Sequence, residues 1–264
     1  MIKFFRKIRQ RLLREKKFNN YLLYAFGEIA LVMIGILLAL QVNNWNETRK
    51  ARKVEINYLK NIQSDLFAEL KNNNEMITER SRKASFAHQL INTTSGKNKA
   101  EQLDLLKRQY YVLGWRNFIP TNNTYKELIS SGQLNSISND SIKYYLLELD
   151  KTYASIADSE HHMRREFEQY LYNSLIPNTN IYDNVDFSKS VEAKNMSDAD
   201  SSQISDEKFQ KMLADFKWLK NNQAYQNGLK LALLNNLFIN DFHKKLSADI
   251  NKLNSFISEE IKSN

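Results

Sequence analysis

The sequence predicts an all-α protein: one N-terminal transmembrane helix continuing into an extramembrane helical bundle. Three observations predict it. The 22-residue stretch Tyr21 to Val42, YLLYAFGEIALVMIGILLALQV, carries a single charge, Glu28. Beyond it, apolar residues recur by threes and fours over long runs, the period of one helix face. The chain has only two prolines and six glycines, so the residues that punctuate short strands are scarce. The expected division is a basic tail at 1–20, a transmembrane helix at 21–43 and a helical domain at 44–264, with a long polar loop at 176–205.

The anchor comes first. At about 1.5 Å per residue, 22 residues cover roughly the 30 Å of a bilayer core. Tyr21 and Tyr24 at one end and Trp45 at the other match the aromatic belts of membrane interfaces. A cleaved signal peptide has a shorter apolar core, about 7–15 residues, and a small-x-small cleavage site. The end here, Leu40-Gln41-Val42-Asn43-Asn44-Trp45, offers none and reads as an uncleaved signal anchor.

Charge sets the orientation. The net charge is +8, but residues 1–20 hold eight basic residues and one acid, which leaves 30 basic and 29 acidic side chains for the rest. A nucleic-acid binder spreads basic charge over a folded face; a polybasic tail beside an apolar segment is a membrane pattern, so no nucleic-acid partner is expected. Eight Lys/Arg precede the helix and five (Arg49, Lys50, Arg52, Lys53, Lys60) follow it. The positive-inside rule then places the N-terminus in the cytoplasm and residues 44–264 outside. Within the tail, Phe4, Phe5, Ile8, Leu12 and Leu13 recur at helical spacing. Two readings stand: an amphipathic helix on an anionic inner leaflet, or a positive flank needed only for insertion.

Glu28 is the most informative single residue, because an ionisable group in a spanning helix meets a partner or a wet cavity. At about 100° per residue, Val32, Gly35 and Ala39 fall within roughly 40° of it. Gly35 and Ala39 form a small-xxx-small pair that lets another helix approach closely. The stripe Glu28, Val32, Gly35, Ala39 is expected to pack against a second transmembrane helix, a further copy of the chain or an integral-membrane partner. The competing reading has Glu28 close enough to the inner interface to protonate or reach headgroups.

The run KFFRKIRQRLLREKKFNNYLLYAFGEIALVMIGILLALQVNNWNE combines a basic amphipathic start, Y-x-x-G-E-I and I-G-I-L-x-A-L-Q-x-N-N-W-N-E. It resembles a family of uncharacterised short single-pass membrane proteins common in Bacteroidetes, classed as a domain of unknown function. A second stretch, PTNNTYKELISSGQLNSISN from Pro120 to Asn139, resembles the same family. The resemblance implies a Gram-negative inner (cytoplasmic) membrane and a periplasmic domain, and it brings no catalytic residues.

Past the anchor, Leu59, Ile62, Leu66, Leu70 and Met76-Ile77 predict a helix running on to about Asn92, with Lys71-Asn72-Asn73-Asn74 as the place for a bend. Asn92-Thr93-Thr94-Ser95-Gly96 is a stop. A short helix is expected from Lys99 to Leu113, ended by Gly114. Pro120 begins a turn, Thr124-Tyr125-Lys126-Glu127 has capping-box spacing, and Gly132 ends that helix in a left-handed conformation. These residues read as a structural corner first and a binding loop second. From Asn139 on, Ile142, Leu146, Leu149, Tyr153, Ile156, Glu160, Met163, Phe167 and Tyr170 step by four and three with one charge, Glu160, in the seam. That helix should end before Pro177. From Asp206 the chain is helical again, with Asn221-Asn222 and Asn227-Gly228 as candidate breaks. Leu229, Ala232, Asn236, Ile239, His243, Leu246, Ile250, Leu253 and Ile257 then repeat the step. Three long amphipathic helices with short ones between them make a bundle.

Few constellations carry chemistry. With no cysteine, disulfides, thiolate metal sites and cysteine nucleophiles are excluded. Asp158, His162 and Glu166 share a helix face, and Asp158-x-x-His161 echoes half of a di-iron site. Asn240 rather than an acid precedes His243, so the second half is missing, and a solvated charged face is the expectation. Glu160 and His243 are each the polar member of an apolar seam. In a simple hairpin about the 176–205 loop their heights differ, which argues against a direct pair. No phosphate loop or G-x-S-x-G is present. The expectation is a non-enzymatic interaction, scaffold or accessory protein with no cofactor or metal, and the alternative is a ligand-sensing bundle that signals through a membrane partner.

Overall fold

A computed structural model describes residues 18–181 and 201–263. Every element among these residues is helical. The basic tail with Phe4, Phe5, Ile8, Leu12 and Leu13, and the middle of the expected loop, lie outside the described residues. Six helices carry the fold: α1 (Phe18–Asn92), α2 (Lys99–Leu113), α3 (Asn123–Ser130), α4 (Asp140–Glu166), α5 (Asp206–Asn221) and α6 (Gln223–Lys262). The chain divides into two units, 1–58 and 59–264.

In the first unit, α1 supplies one helix near the N-terminus that is long and apolar enough to cross a membrane. Its side chains from Ile29 through Trp45 are exposed without exception, and Glu28 is half-buried. Trp45 lies 5.8 Å under the Arg49 guanidinium. Tyr21 and Tyr24 fall inside the helix, but their side chains lie outside the description.

The second unit is a bundle of α1, α4 and α6 with the shorter helices packed on it. Side-chain hydrogen bonds fix the directions. Gln63 of α1 donates to Asn254 and Ser258 at 2.9 Å, while Asn240 donates to Ser81 at 2.9 Å, so α1 and α6 are antiparallel. Asn139 donates to Glu260 at 2.8 Å and Asn235 to Glu166 at 2.6 Å, so α4 and α6 are antiparallel as well. Boundaries follow local chemistry. Asn98, Asn139, Ser205 and Asn222 each accept a backbone amide of the first turn that follows, which satisfies donors that a helix start leaves unpaired. Gly132 is left-handed at φ 69°.

Four details differ from the sequence reading. α1 runs through Lys71–Asn74 without interruption, because Asn72 and Asn73 find partners in neighbouring segments and do not turn on their own backbone. The α3 start is not a capping box. Its N-cap is Asn122, without a side-chain cap bond, and Asp65 of α1 accepts the Thr124 amide at 2.8 Å instead. Asn222 does separate α5 from α6, but Asn227-Gly228 breaks nothing. Gly228 is buried inside α6, where a Cβ would stand 2.8 Å from the Leu171 side chain. Finally, α4 passes into a π-helical segment, Phe167–Tyr172, that the four-three step does not reveal. Beyond it come a turn at Asn173–Leu175 and a 3-10 turn at Ile176–Asn178, so Pro177 sits in that turn and not in the helix.

Apolar packing holds both ends of the bundle. Leu90, Leu106, Leu171, Leu175, Phe216 and Leu229 belong to one cluster. Ile62, Leu66, Ile142, Leu149, Ile250 and Leu253 are buried further along the same three helices. Ile181 and Ile204, which flank residues 182–200, are both buried in the first cluster.

Candidate functional site

Between the apolar ends the core turns polar. The buried face of α1 reads Leu59, Ile62, Leu66, Glu69, Asn73, Met76, Arg80, Lys83, Ala87, Leu90, an unbroken four-three step with polar residues in its middle. Glu160 of α4 and Asn236, Asn240 and His243 of α6 are buried as well.

The centre of this band is an ion pair between Arg80 (2 % exposed) and Glu160 (4 % exposed). The Glu160 carboxylate also accepts the Phe118 backbone amide, at 2.9 and 3.1 Å. Burial pushes the Glu160 carboxyl up and the Arg80 guanidinium down, each opposed by the charge of the other. A paired guanidinium does not give up its proton. Asn73 grips the other side: its Nδ2 donates to the His243 carbonyl at 2.7 Å and its Oδ1 lies 2.6 Å from His243 Nδ1. His243 is fully buried. Burial, followed by the nearby Arg80 charge, holds its imidazole down at about 4, so it is neutral at neutral pH and Nδ1–H donates to Asn73.

Several polar groups act on one connection, residues 114–122 between α2 and α3. Lys83 donates to the Gly114 carbonyl, Asn72 to the Ile119 carbonyl at 3.0 Å, and the Thr121 amide donates to Glu69 at 2.6 Å. Burial raises the Glu69 carboxyl, against the pull of the Thr121 amide, and burial lowers the Lys83 amine, against the charge of Glu79. The Phe118 ring packs between Tyr153 at 6.3 Å and His243 at 5.1 Å, edge-on to the latter. Backbone buried without regular partners costs free energy unless something satisfies it, and here α1 and α4 supply the donors and acceptors.

The sequence-derived residues separate accordingly. Glu160 and His243 share the band, joined through Phe118 and Arg80 and not by a direct bond. The connection from α4 to α6 includes α5 and is no simple hairpin. Asp158, His161 and His162 are exposed, and His162 Nε2 lies 3.1 Å from Glu166. Among the described residues no group of three His, Asp or Glu is placed to hold a metal. Arg80, Lys83, Glu69 and Asn73 were missed. Their signal was the four-three step itself, hidden because its middle members are polar. The stretch from Pro120 behaves as a corner: Thr121 and Thr124 are its fastening points.

Residues 28–196 match a family of unknown function, DUF6090, over more than half of the 264-residue chain. The chain belongs to DUF6090. Of the two stretches that carried the resemblance, Pro120 to Asn139 falls wholly inside the match and Lys3 to Glu47 only from Glu28 on; Arg80, the 114–122 connection and Glu160 also fall inside it. α5 and α6 lie beyond it, yet His243 and Asn236 complete the DUF6090 core. No curated protein and no solved structure matches the chain.

A second feature is a surface. The buried side of α6 is matched on its opposite side by an apolar stripe, with Leu234 61 %, Leu237 51 % and Phe238 58 % exposed. Leu231 and Phe242 border it, half-buried, and the Phe238 and Phe242 rings meet edge to face at 5.3 Å.

Proposed function

We propose that the protein is a membrane-anchored helical interaction or scaffold protein, an accessory subunit that binds a membrane partner and catalyses nothing. The way the core is filled supports this reading. Its charged groups are engaged with one another and with the 114–122 backbone. The partly open cavities beside them measure about 20 and 30 Å³, room for a water or two. In this reading the N-terminus is cytoplasmic, the basic tail rests on an anionic inner leaflet, and residues 44–264 stand in the periplasm of a Gram-negative cell, as the family resemblance implies. Glu28, Val32, Gly35 and Ala39 form the transmembrane binding stripe. No atom lies within 4 Å of where a Gly35 Cβ would stand, which leaves backbone open to another helix.

A mild-detergent pull-down of the tagged full chain, wild type beside Glu28→Leu, tests this. A membrane protein recovered with the wild type and lost from the variant is the expected result. Recovery of both versions alone would overturn it.

The alternative, a periplasmic ligand sensor, is favoured by one observation. An open groove of about 770 Å³ runs along Phe67, Asn74, Thr78, Arg82, Tyr111 and Arg116. If that reading holds, a small-molecule panel raises the melting temperature of the wild type and not of Arg82→Ala.

A further inference from the structure

We propose that Glu69 is a proton-operated fastener: as a neutral acid it holds residues 114–122 against α1, and on ionising it lets them go. The inference concerns regulation within the second unit and does not depend on what the protein binds.

The balance of charge in the polar band carries it. Four carboxylate, ammonium or guanidinium side chains are buried there: Glu69, Arg80, Lys83 and Glu160. Arg80 and Glu160 pair with each other, and Lys83 lies 3.5 Å from Glu79. Glu69 meets no cation. The groups that act on it are Thr121, Tyr153 and Asn72, all uncharged. One carboxyl oxygen accepts the Thr121 amide at 2.6 Å; the other, Oε1, has no hydrogen-bond partner among the described residues. No part of Glu69 is exposed. A full charge so placed is strongly unfavourable, and the group takes a proton instead. One amide falls short of the roughly two or three that keep a buried carboxylate ionised.

The neighbouring elements bring no counter-charge. On α1, Asp65 stands one turn before Glu69 and is itself an acid. On α4, the charges acting on the Tyr153 hydroxyl are Glu69, Asp150 and Asp65, all acidic. On α3 the one buried titratable side chain is Tyr125, which also feels Asp150. On α6, His243 is neutral, and Lys245 is bonded to Thr152 and Asp249. In the connection itself the one charge, Arg116, faces Glu75 and Glu79. A metal ion fits no better. Beyond Asp65 and the corner, the cavity beside Tyr153 is walled by Ile62, Leu66, Leu146 and Leu149, which offer no ligand.

A proton on Oε1 supplies the missing donor while the other oxygen still accepts from Thr121. Without the proton, the charge is solvated only by displacing what covers it, residues 114–122. These lie close to the surface: Ile119 is 76 % exposed, and Arg116 lines the open groove. Their displacement removes one wall of that groove, so the proton on Glu69 sets the shape of the surface there.

The full chain in detergent, wild type beside Glu69→Gln, gives two readouts. Infrared spectra at neutral pH should show a protonated-carboxyl carbonyl band in the wild type that the variant lacks. Hydrogen exchange of the 114–122 peptide, corrected for its intrinsic pH dependence, reads local opening. In the wild type this opening should grow about tenfold per pH unit from the ordinary glutamate value near 4.3 to the pH at which the band disappears, then level off. Glu69→Gln should lack that rise, and peptides of the Leu90 and Leu229 cluster should stay protected in both. Equal spectra at neutral pH mean a charged Glu69 and overturn the inference. Parallel exchange in the two proteins overturns it as well, since the acid then fastens nothing. If Glu69→Gln does not fold, the wild type alone decides: loss of the band and levelling of the exchange must fall at the same pH, and a mismatch refutes the link.

Discussion

Glu160 has two dependants, a guanidinium and a backbone amide. Truncating it strands the Arg80 charge in the core and frees the Phe118 amide. Glu160→Ala should cost about 3–5 kcal/mol, the range for breaking a buried pair from one side, read as a drop in unfolding midpoint in urea. The double variant Arg80→Met/Glu160→Met should recover a large part of that loss, because it buries no lone charge. His243 makes a pH prediction. Its folded value of about 4 lies below the ordinary histidine range near 6.5. As pH falls through that interval the unfolded chain takes up a proton that the folded core refuses, so stability falls with pH. Above about pH 6.5 the residue is neutral in both states and contributes no slope. Glu69 and Glu160, raised by burial, act in the opposite sense as acid is added, so the quantity to measure is the difference between wild type and His243→Gln. The variant's loss of stability between pH 6.5 and pH 4 should be smaller by about 2–3 kcal/mol; parallel pH curves for the two would refute the assignment.

At the scale of the element, Gly228 and the π-helical segment of α4 belong together. A Cβ at Gly228 meets Leu171 at 2.8 and 3.0 Å and the Tyr170 Cβ at 3.0 Å. Replacing glycine with alanine favours a helix by about 1 kcal/mol, but overpacking a full core costs about 1–3 kcal/mol. Leu171 is itself buried and the Tyr170 atom is too close to the backbone to move. Gly228→Ala should therefore lower the thermal midpoint, and adding Leu171→Ala should make the alanine at 228 harmless relative to Leu171→Ala alone. The elements also show which parts of the fold were legible. Helix ends at Asn92, Lys99, Leu113, Asn139 and Asn222 were readable because asparagine and glycine satisfy helix termini locally. The α3 cap was not, because Asp65 reaches it from about sixty residues away in the chain. The polar band was half legible. Glu160 and His243 stood out against apolar seams, while Arg80 and Lys83 lie in the charged run Glu79-Arg80-Ser81-Arg82-Lys83, where no apolar neighbour marks the buried face. Gly228 was misread because a helical glycine in sequence cannot reveal whether it loosens a backbone or admits a neighbour.

For the whole molecule, the order of charges along the chain makes the prediction. A basic tail, an apolar helix and a near-neutral remainder give a chain that carbonate leaves in the membrane pellet. If the N-terminus is inside, as proposed, Asp158→Cys should react with an impermeant maleimide in cells whose outer membrane has been opened, and a cysteine placed at Lys3 should not. The reverse pattern would invert the topology, and labelling of both would deny the anchor. The division of labour within the second unit follows the same logic. Apolar ends supply most of the burial free energy, which has no direction. The polar middle has direction, and a slip of one turn between α1 and α6 leaves Asn73 and His243 without each other.

The two isoleucines that flank residues 182–200 have a further consequence. Ile181 and Ile204 are seated in one apolar cluster, so the fold closes on both of them whatever chain runs between. They act as a clasp. Opening it from either side should have a similar cost: Ile181→Ala and Ile204→Ala each remove buried methyl and methylene groups from the same cluster, and each should lower the thermal midpoint.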